Sequence, residues 1–149
     1  MNENLTLEES RPFYTFLIDQ FGFKKIDEGY YPENFGNFFV VLKGEDFSLQ
    51  YHFDRSVFTI EILGNQESDR NKWYSLYFIK DLIYNPDQIN VFERKLSNNE
   101  RIQELNSFVE KDFSQISDLF SKKSYPETKK KIDDGLRKSF FLRHPQQKK

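Results

Sequence analysis

Few side chains in this sequence are suited to catalysis or metal binding: it has two histidines, His52 and His144, and no cysteine. Without cysteine there is no disulfide, thiolate zinc site, iron–sulfur cluster or cysteine nucleophile. Histidine-based metal sites and Ser–His nucleophiles need a defined arrangement, such as two histidines four residues apart on a helix. The two histidines here do not have that spacing. We therefore predict no catalytic residue, no metal site and no enzyme activity, while a cation site made only of carboxylates stays open.

The glycines also argue against a bound nucleotide. Phosphate-binding loops use clustered glycines directly before a helix N-terminus. The six glycines of this chain are dispersed, and all but one fall near expected element boundaries, where turns and helix caps use them: Gly22, Gly29, Gly36, Gly44 and Gly64. We predict no cofactor.

The polar loop at residues 64–72 is the strongest candidate for a partner-binding surface. It leads directly into Trp73, the only tryptophan of the chain. Trp and Arg are frequent hot-spot residues of protein interfaces, and aromatic residues also flank the first predicted turn, at residues 30–35. The predicted partner-binding residues are Glu67, Asp69, Arg70, Trp73, Tyr31 and Phe35. A lone tryptophan opening an apolar segment is also typical of a core residue, so that interpretation of Trp73 stays open.

Charge is distributed unevenly along the chain. Residues 1–121 contain 12 Lys and Arg against 21 Asp and Glu, whereas residues 122–149 contain 10 against 3. A basic segment of this kind can contact nucleic acid, or it can be a solvated helix face. The acidic body of the chain would repel phosphates, and Asp133 and Asp134 interrupt the basic run. These charges argue against nucleic acid as the partner, and it is kept only as an alternative.

The first elements are predicted from hydrophobic spacing. Residues 10–21 have helical spacing, with Ser10 as N-cap and Gly22 ending the helix in a left-handed conformation. Strands are expected at residues 24–32, 38–43, 47–53 and 57–63. Alternation is clearest in the last two, where one face carries Phe47, Leu49, Tyr51, Phe53, Phe58, Ile60 and Ile62. Short loops between successive strands require antiparallel neighbours.

The second half is predicted to be mainly helical. Residues 73–76 should be a short extended entry to a helix ending near Tyr84, and Asn85 and Pro86 should open a short helix carrying Ile89, Phe92 and Leu96. Ser97 and Glu100 form a capping box at the start of a helix that keeps its spacing as far as Phe120. A last helix is expected at residues 126–141, with an apolar row of Ile132, Leu136 and Phe140.

These elements predict an α+β fold with an N-terminal helix, an antiparallel meander of four to five strands, and two to three C-terminal helices on one face of the sheet. A length of 149 residues suits one domain, placed at residues 1–142, with a flexible basic tail at 143–149. The core should be rich in phenylalanine, since aromatic residues make up 17% of the chain. The N-terminus lacks the pattern of a signal peptide, and no apolar stretch is long enough to span a bilayer. We expect a cytoplasmic protein that does not enter a membrane.

The order of these elements resembles that of small bacterial α+β proteins of the immunity-protein type. The resemblance rests on the Phe21-Gly22-Phe23 helix end, the hairpin with Leu49-Gln50-Tyr51 and Asp54-Arg55-Ser56, and the apolar segment opened by Ser75 and Leu76. It implies a non-enzymatic module that binds another protein, in its most specific form an inhibitor of a bacterial toxin. A domain that binds a small or apolar ligand and a nucleic-acid-associated protein remain the alternatives, and a homodimer stays open.

Overall fold

The computed structural model describes the backbone of residues 6–86 and 96–143, with side chains as far as residue 138. Within these residues, no helix combines the length and the apolar character needed to cross a membrane. The chain forms an α+β fold: one helix, a five-stranded antiparallel sheet, and then helices packed against that sheet. The predicted fold class is confirmed.

The first helix, α1, spans Leu7–Phe21 and begins earlier than the sequence pattern indicated. Thr6 is its N-cap and forms a capping box with Glu9, so the prediction that Ser10 is the N-cap is wrong. Ser10 is buried inside the helix and its hydroxyl donates to the Leu7 carbonyl at 2.6 Å. The helix ends as predicted at Gly22, which has a φ of 72°.

The sheet is a simple meander in which each strand pairs with the next. Its strands are β1 (Lys24–Tyr31), β2 (Asn37–Lys43), β3 (Phe47–Asp54), β4 (Val57–Gly64) and β5 (Tyr74–Ser75). The β3–β4 connection is a two-residue turn, and its residues Arg55 and Ser56 both have positive φ, as a type I′ turn requires. The strand boundaries agree with the prediction to within one residue or two.

One face of the sheet forms the core. The alternating side chains of β2, β3 and β4 on this face are almost fully buried, among them Leu49, Tyr51, Phe58 and Ile60. Aromatic rings contact each other edge to face at Tyr14–Tyr51 and Tyr51–Phe58. The Tyr51 hydroxyl donates to Asn106 at 2.7 Å, which satisfies a polar group that is otherwise shut off from water. Burial raises the pKa of Tyr51 far above its usual range, so it remains a neutral donor.

In the described part of the chain, four further helices complete the core: α2 (Leu76–Tyr84), α3 (Asn98–Lys111), α4 (Phe113–Phe120) and α5 (Tyr125–Arg143). The Ser97–Glu100 capping box at the start of α3 is present as predicted. The single helix predicted up to Phe120 is wrong, because the chain turns at Asp112 between α3 and α4. After this turn, the Phe113 ring stacks on the Phe21 ring, with ring centroids 3.9 Å apart. The continuous apolar spacing of the sequence did not indicate this contact.

Three predictions fall partly outside the described residues. The short helix with Ile89 and Phe92 lies in residues 87–95, which the structure does not describe, and the side chain of Phe140 lies outside the description as well. Helix α5 reaches Arg143, and the rest of the predicted tail, residues 144–149, lies outside the described residues. Along α5, Ile132 is buried whereas Leu136 is 40% exposed, so the predicted apolar row is only partly in the core.

Candidate functional site

The six predicted partner-binding residues lie at two opposite ends of the sheet. The loop at residues 64–72 lies beside the β2–β3 turn, where the Asn65 amide donates to the carbonyls of Gly44 and Glu45. The β1–β2 turn lies beside the β3–β4 turn, through a bond from the Asn37 amide to Asp54. Strands of this length separate the two ends by about 25 Å. The prediction therefore covers two distinct surfaces.

At the loop end, Glu67 is buried and holds the loop on α5. Its side chain has no exposed area. It accepts hydrogen bonds from the Tyr125 hydroxyl at 2.8 Å and from the Asp69 N–H at 3.0 Å, and the Lys129 ammonium lies 3.3 Å away. Burial alone would raise the pKa of Glu67, but the two hydrogen bonds and Lys129 outweigh it and lower that pKa below its usual value. We call Glu67, Tyr125 and Lys129 the loop latch.

The other predicted residues of this loop differ in exposure and partners. The Arg70 guanidinium donates to the carbonyls of Gly64 and Glu67, at 3.1 Å and 2.9 Å, and so closes the loop on itself. Asp69 is exposed, and its carboxylate accepts from the Asn71 N–H at 3.0 Å. Trp73 is half-buried. Arg70 is exposed as well, so Asp69, Arg70 and Trp73 have side-chain surface left for a partner, whereas Glu67 has none.

At the opposite end, the β1–β2 turn carries a group of exposed aromatic side chains. The exposed fractions are 72% for Phe35, 50% for Tyr31 and 45% for Tyr30. We call these three residues the aromatic tip. Large aromatic side chains that stay in contact with water forgo part of the stabilisation that complete burial gives, which is about 1.5–3 kcal/mol for a large apolar side chain. Tyr30 and Tyr31 follow each other on β1, so their side chains lie on opposite faces at this end of the sheet, with Phe35 in the turn beyond them. Several exposed aromatic residues at one end of a domain are typical of binding surfaces.

The backbone of the tip is held firmly. The Asn34 N–H donates to the Tyr31 carbonyl and the Asn37 N–H donates to the Asn34 carbonyl, both at 3.0 Å. The Asn37 side chain bridges to the neighbouring turn, donating to Asp54 and accepting from the Arg55 N–H at 2.8 Å. These bonds fix the tip before any partner arrives, which lowers the entropy lost on binding.

Phe35 is strained as well as exposed. Its φ of 60° lies in the left-handed region, where a side chain with a Cβ costs about 1–2 kcal/mol. Glycine or asparagine is usual at such a position, and the next residue is Gly36, also with positive φ. The backbone conformation of this aromatic residue and its exposure to water both oppose folding. Such an outlier points to a role outside folding.

The aromatic tip rests on the outer face of the sheet through Phe39. The Tyr31 and Phe39 rings stack with centroids 6.4 Å apart. Phe39 also lies across Gly29, its partner on β1, so closely that a Cβ at Gly29 would come within 2.3 Å of the ring. The absence of a side chain at Gly29 therefore positions Phe39, and Phe39 in turn supports Tyr31.

Replacing Gly29 by alanine is expected to push Phe39 away from β1 and to reduce the free energy of unfolding by about 1–2 kcal/mol, the usual cost of overpacking. Urea unfolding gives the stability, and the near-ultraviolet circular dichroism of the tyrosines gives the ring displacement. Gly22→Ala is a contrasting variant, since nothing lies near its Cβ and its cost comes from the positive φ alone. An unchanged near-ultraviolet spectrum in Gly29→Ala would contradict the support assigned to Phe39.

Carboxylates surround the aromatic tip. Glu28, Glu33 and Asp54 are all exposed there, with Arg55 as the one basic side chain of the adjoining turn. Arg55 lies 4.0 Å from Asp54 and Lys25 lies 2.7 Å from Glu28, and both are surface pairs of little strength. The region around the tip therefore presents an acidic rim to any approaching surface.

The outer face of the sheet also carries a half-buried acid, Glu61, near His52. Burial raises the pKa of Glu61, and the charge of His52 lowers it in part. Among the residues that the structure describes, no three His, Asp or Glu side chains are grouped so that they could hold a metal ion.

The basic residues of α5 do not form a uniform surface. Lys129 belongs to the loop latch, and Arg137 pairs with Asp134. Lys130 and Lys131 line an open groove of about 530 Å³ together with acidic side chains, including Asp133. The groove is of mixed charge, which gives no particular support to the nucleic-acid alternative.

The sequence singled out Tyr31 and Phe35 but not the residues that make the tip rigid. Asn37 and Asp54 are 17 residues apart, and nothing in either local pattern pairs them. The exposure of Ile26 on β1 was also not predicted, since the sequence of this strand shows little alternation.

Comparisons with protein-family models, with curated proteins and with solved structures gave no match. The function must therefore be argued from the site itself.

Proposed function

We propose that this chain is a non-enzymatic protein-binding module whose main contact is the aromatic tip, Tyr30, Tyr31 and Phe35. The observation that carries the proposal is Phe35, which is 72% exposed and held at a φ of 60°. A residue this unfavourable in the free protein is best accounted for by burial in a partner. Aromatic residues of this kind supply most of the binding energy in many interfaces.

The surroundings of the tip support the same function. The Asn37 bonds join the turn to its neighbour, so the backbone that carries the aromatic side chains is held in place. The acidic rim of Glu28, Glu33 and Asp54 would steer a basic partner and set its orientation. The partner of best fit is therefore a protein with an apolar pocket bordered by Lys or Arg. Inhibition by covering such a surface, as an immunity-type protein would do, is the most specific form of this proposal.

The loop with Asp69, Arg70 and Trp73 is the second predicted surface, and its partner-binding role stays a prediction. It is not needed for binding at the tip, because it lies at the other end of the sheet.

Site-specific photocrosslinking tests the proposal. A benzoylphenylalanine placed at position 35 and activated in the cells that make the protein is expected to give one crosslinked species with a different protein. The same crosslinker at Ile18, an exposed apolar position on α1, provides the control. The purified pair should then form a complex of fixed stoichiometry. Crosslinks only between copies of this chain, or equal capture from both positions, would count against the proposal.

A further inference from the structure

The two edges of the sheet differ in how they are protected. At the β4 side, the Asn98 side chain accepts a hydrogen bond from the Phe58 N–H at 3.0 Å and donates to the Ser56 carbonyl at 2.9 Å. Strand β5 covers a further part of β4. At the other side, β1 pairs with β2 alone, and no other described element pairs with it. An uncovered edge is a template for another strand.

The register shows which backbone groups point to the open edge. The Gly44 N–H donates to the Phe47 carbonyl at 2.9 Å, so the backbone N–H and C=O groups of Phe47 point toward β2. The direction of these backbone groups alternates from one residue to the next along an antiparallel strand. Those of Val41 and Phe39 therefore point toward β1, where the partners of these two residues are Asp27 and Gly29. The intervening residues, Glu28 and Tyr30, point their N–H and C=O groups away from the sheet.

The first half of this edge is guarded against pairing. Lys24 and Lys25 lie there, and a bulge at Ile26 interrupts the register between Lys25 and Asp27. Charged lysines and bulges are common devices against the addition of a strand. The outward N–H of Glu28 is also occupied, because it donates to the Asp27 carboxylate at 2.9 Å.

Between Glu28 and Pro32 the edge has no such guard. The register is regular from Glu28 to Tyr31, a stretch without lysine or proline, and Pro32, which has no N–H, ends it. Tyr30 presents both its N–H and its C=O to the open edge, and its side chain belongs to the aromatic tip. The unguarded part of the edge is therefore continuous with the proposed contact surface.

We infer that the partner adds an extended segment to β1 at Tyr30, so that a short intermolecular strand extends the sheet beside the aromatic tip. The inference rests on the proposed function, since it specifies how the tip is engaged. Charge complementarity defines the segment: Glu28 and Glu33 border the position, so the segment is basic, with apolar residues that pack on Tyr30 and Tyr31. Main-chain bonds at Tyr30 provide affinity that does not depend on the partner's sequence.

A pair of variants at Tyr30 separates the backbone from the side chain. Tyr30→Ala removes the ring and keeps the N–H, whereas Tyr30→Pro removes both. Proline is tolerated at an edge position whose N–H points outward, so both variants are expected to fold with similar stability. The probe is a phage library of random twelve-residue linear peptides selected on the full chain, followed by titration of the selected peptides as free peptides.

Selected peptides should be rich in Lys, Arg and apolar residues, and they should bind Tyr30→Pro about three- to tenfold more weakly than Tyr30→Ala, the effect of one net hydrogen bond. Hydrogen exchange should slow at Tyr30 when a peptide binds. Strand addition would be overturned if the peptides bound the two variants equally, if hydrogen exchange slowed only outside β1, or if the library gave no binding peptide. If the crosslinker at position 35 still captures a protein in that case, the proposed function stands without it.

Discussion

Replacing Phe35 by glycine is expected to stabilise the fold and to weaken partner binding at the same time. The side chain at φ 60° costs about 1–2 kcal/mol, and glycine removes that strain while losing more chain entropy on folding. The net gain in the free energy of unfolding should be about 0.5–1 kcal/mol. Loss of an aromatic hot spot should cost at least about 2 kcal/mol of binding free energy, which raises the Kd about 30-fold.

The two effects are measured separately, by urea unfolding of the free chain and by calorimetric titration with the protein that the crosslinker captures. Phe35→Asn provides a second variant, because asparagine also tolerates the left-handed region. Ile18→Ala removes exposed apolar area from α1 and should leave binding unchanged. A less stable Phe35→Gly chain would mean that the ring has a folding role. A more stable chain with unchanged affinity would remove Phe35 from the interface.

The parts of the fold that the sequence predicted are those set by local patterns. Alternation located β3 and β4, because one face of each strand is buried and the other is not. The capping box at Ser97 and Glu100 located the start of α3 for the same reason, since both partners lie within one turn. Ser10 misled the prediction because Thr6 and Glu9 form a complete capping box one turn earlier.

The candidate sites were predictable only in part, because polar contacts between distant segments leave no local pattern. From the sequence, Glu67 is expected to be an exposed loop residue. In the structure it is buried and bonded to Tyr125, which lies 58 residues further along the chain. Asn37 looks like an ordinary turn residue, and only its bonds across to the β3–β4 turn show that it fixes the aromatic tip. Exposure of Phe35 was predictable from its place in a turn, but its backbone conformation was not.

The loop latch should be the polar contact whose loss costs the fold most. Glu67→Gln keeps the shape of the side chain but removes the negative charge that faces Lys129 at 3.3 Å. It also leaves the Asp69 N–H, the Tyr125 hydroxyl and Lys129 to share one acceptor oxygen. Removing one partner of a buried, hydrogen-bonded charge pair typically costs about 3 kcal/mol, and we expect about 2–3 kcal/mol here because Lys129 is partly exposed.

The pH dependence of the latch has a defined sign. The pKa of Glu67 in the folded chain lies below its ordinary value of 4.5. The ionised group therefore contributes stability that is present above about pH 4.5 and is lost as pH falls through the lower, folded pKa. Unfolding in urea at several values between pH 7 and pH 3 should show the wild-type chain losing its advantage over Glu67→Gln in that acidic range.

Glu61 is the matched control, since it is a half-buried carboxyl whose pKa is shifted in the opposite direction. Burial raises the pKa of Glu61, with a smaller opposing effect of His52, so its ionisation works against folding. Any stability it contributes is present at low pH and is lost as pH rises through the raised pKa. Glu61→Gln should therefore be neutral or stabilising at pH 7, where Glu67→Gln is destabilising. An unchanged stability of Glu67→Gln at pH 7 would contradict the role assigned to the loop latch. A clearly destabilising Glu61→Gln at pH 7 would contradict the opposite sign expected for that carboxyl.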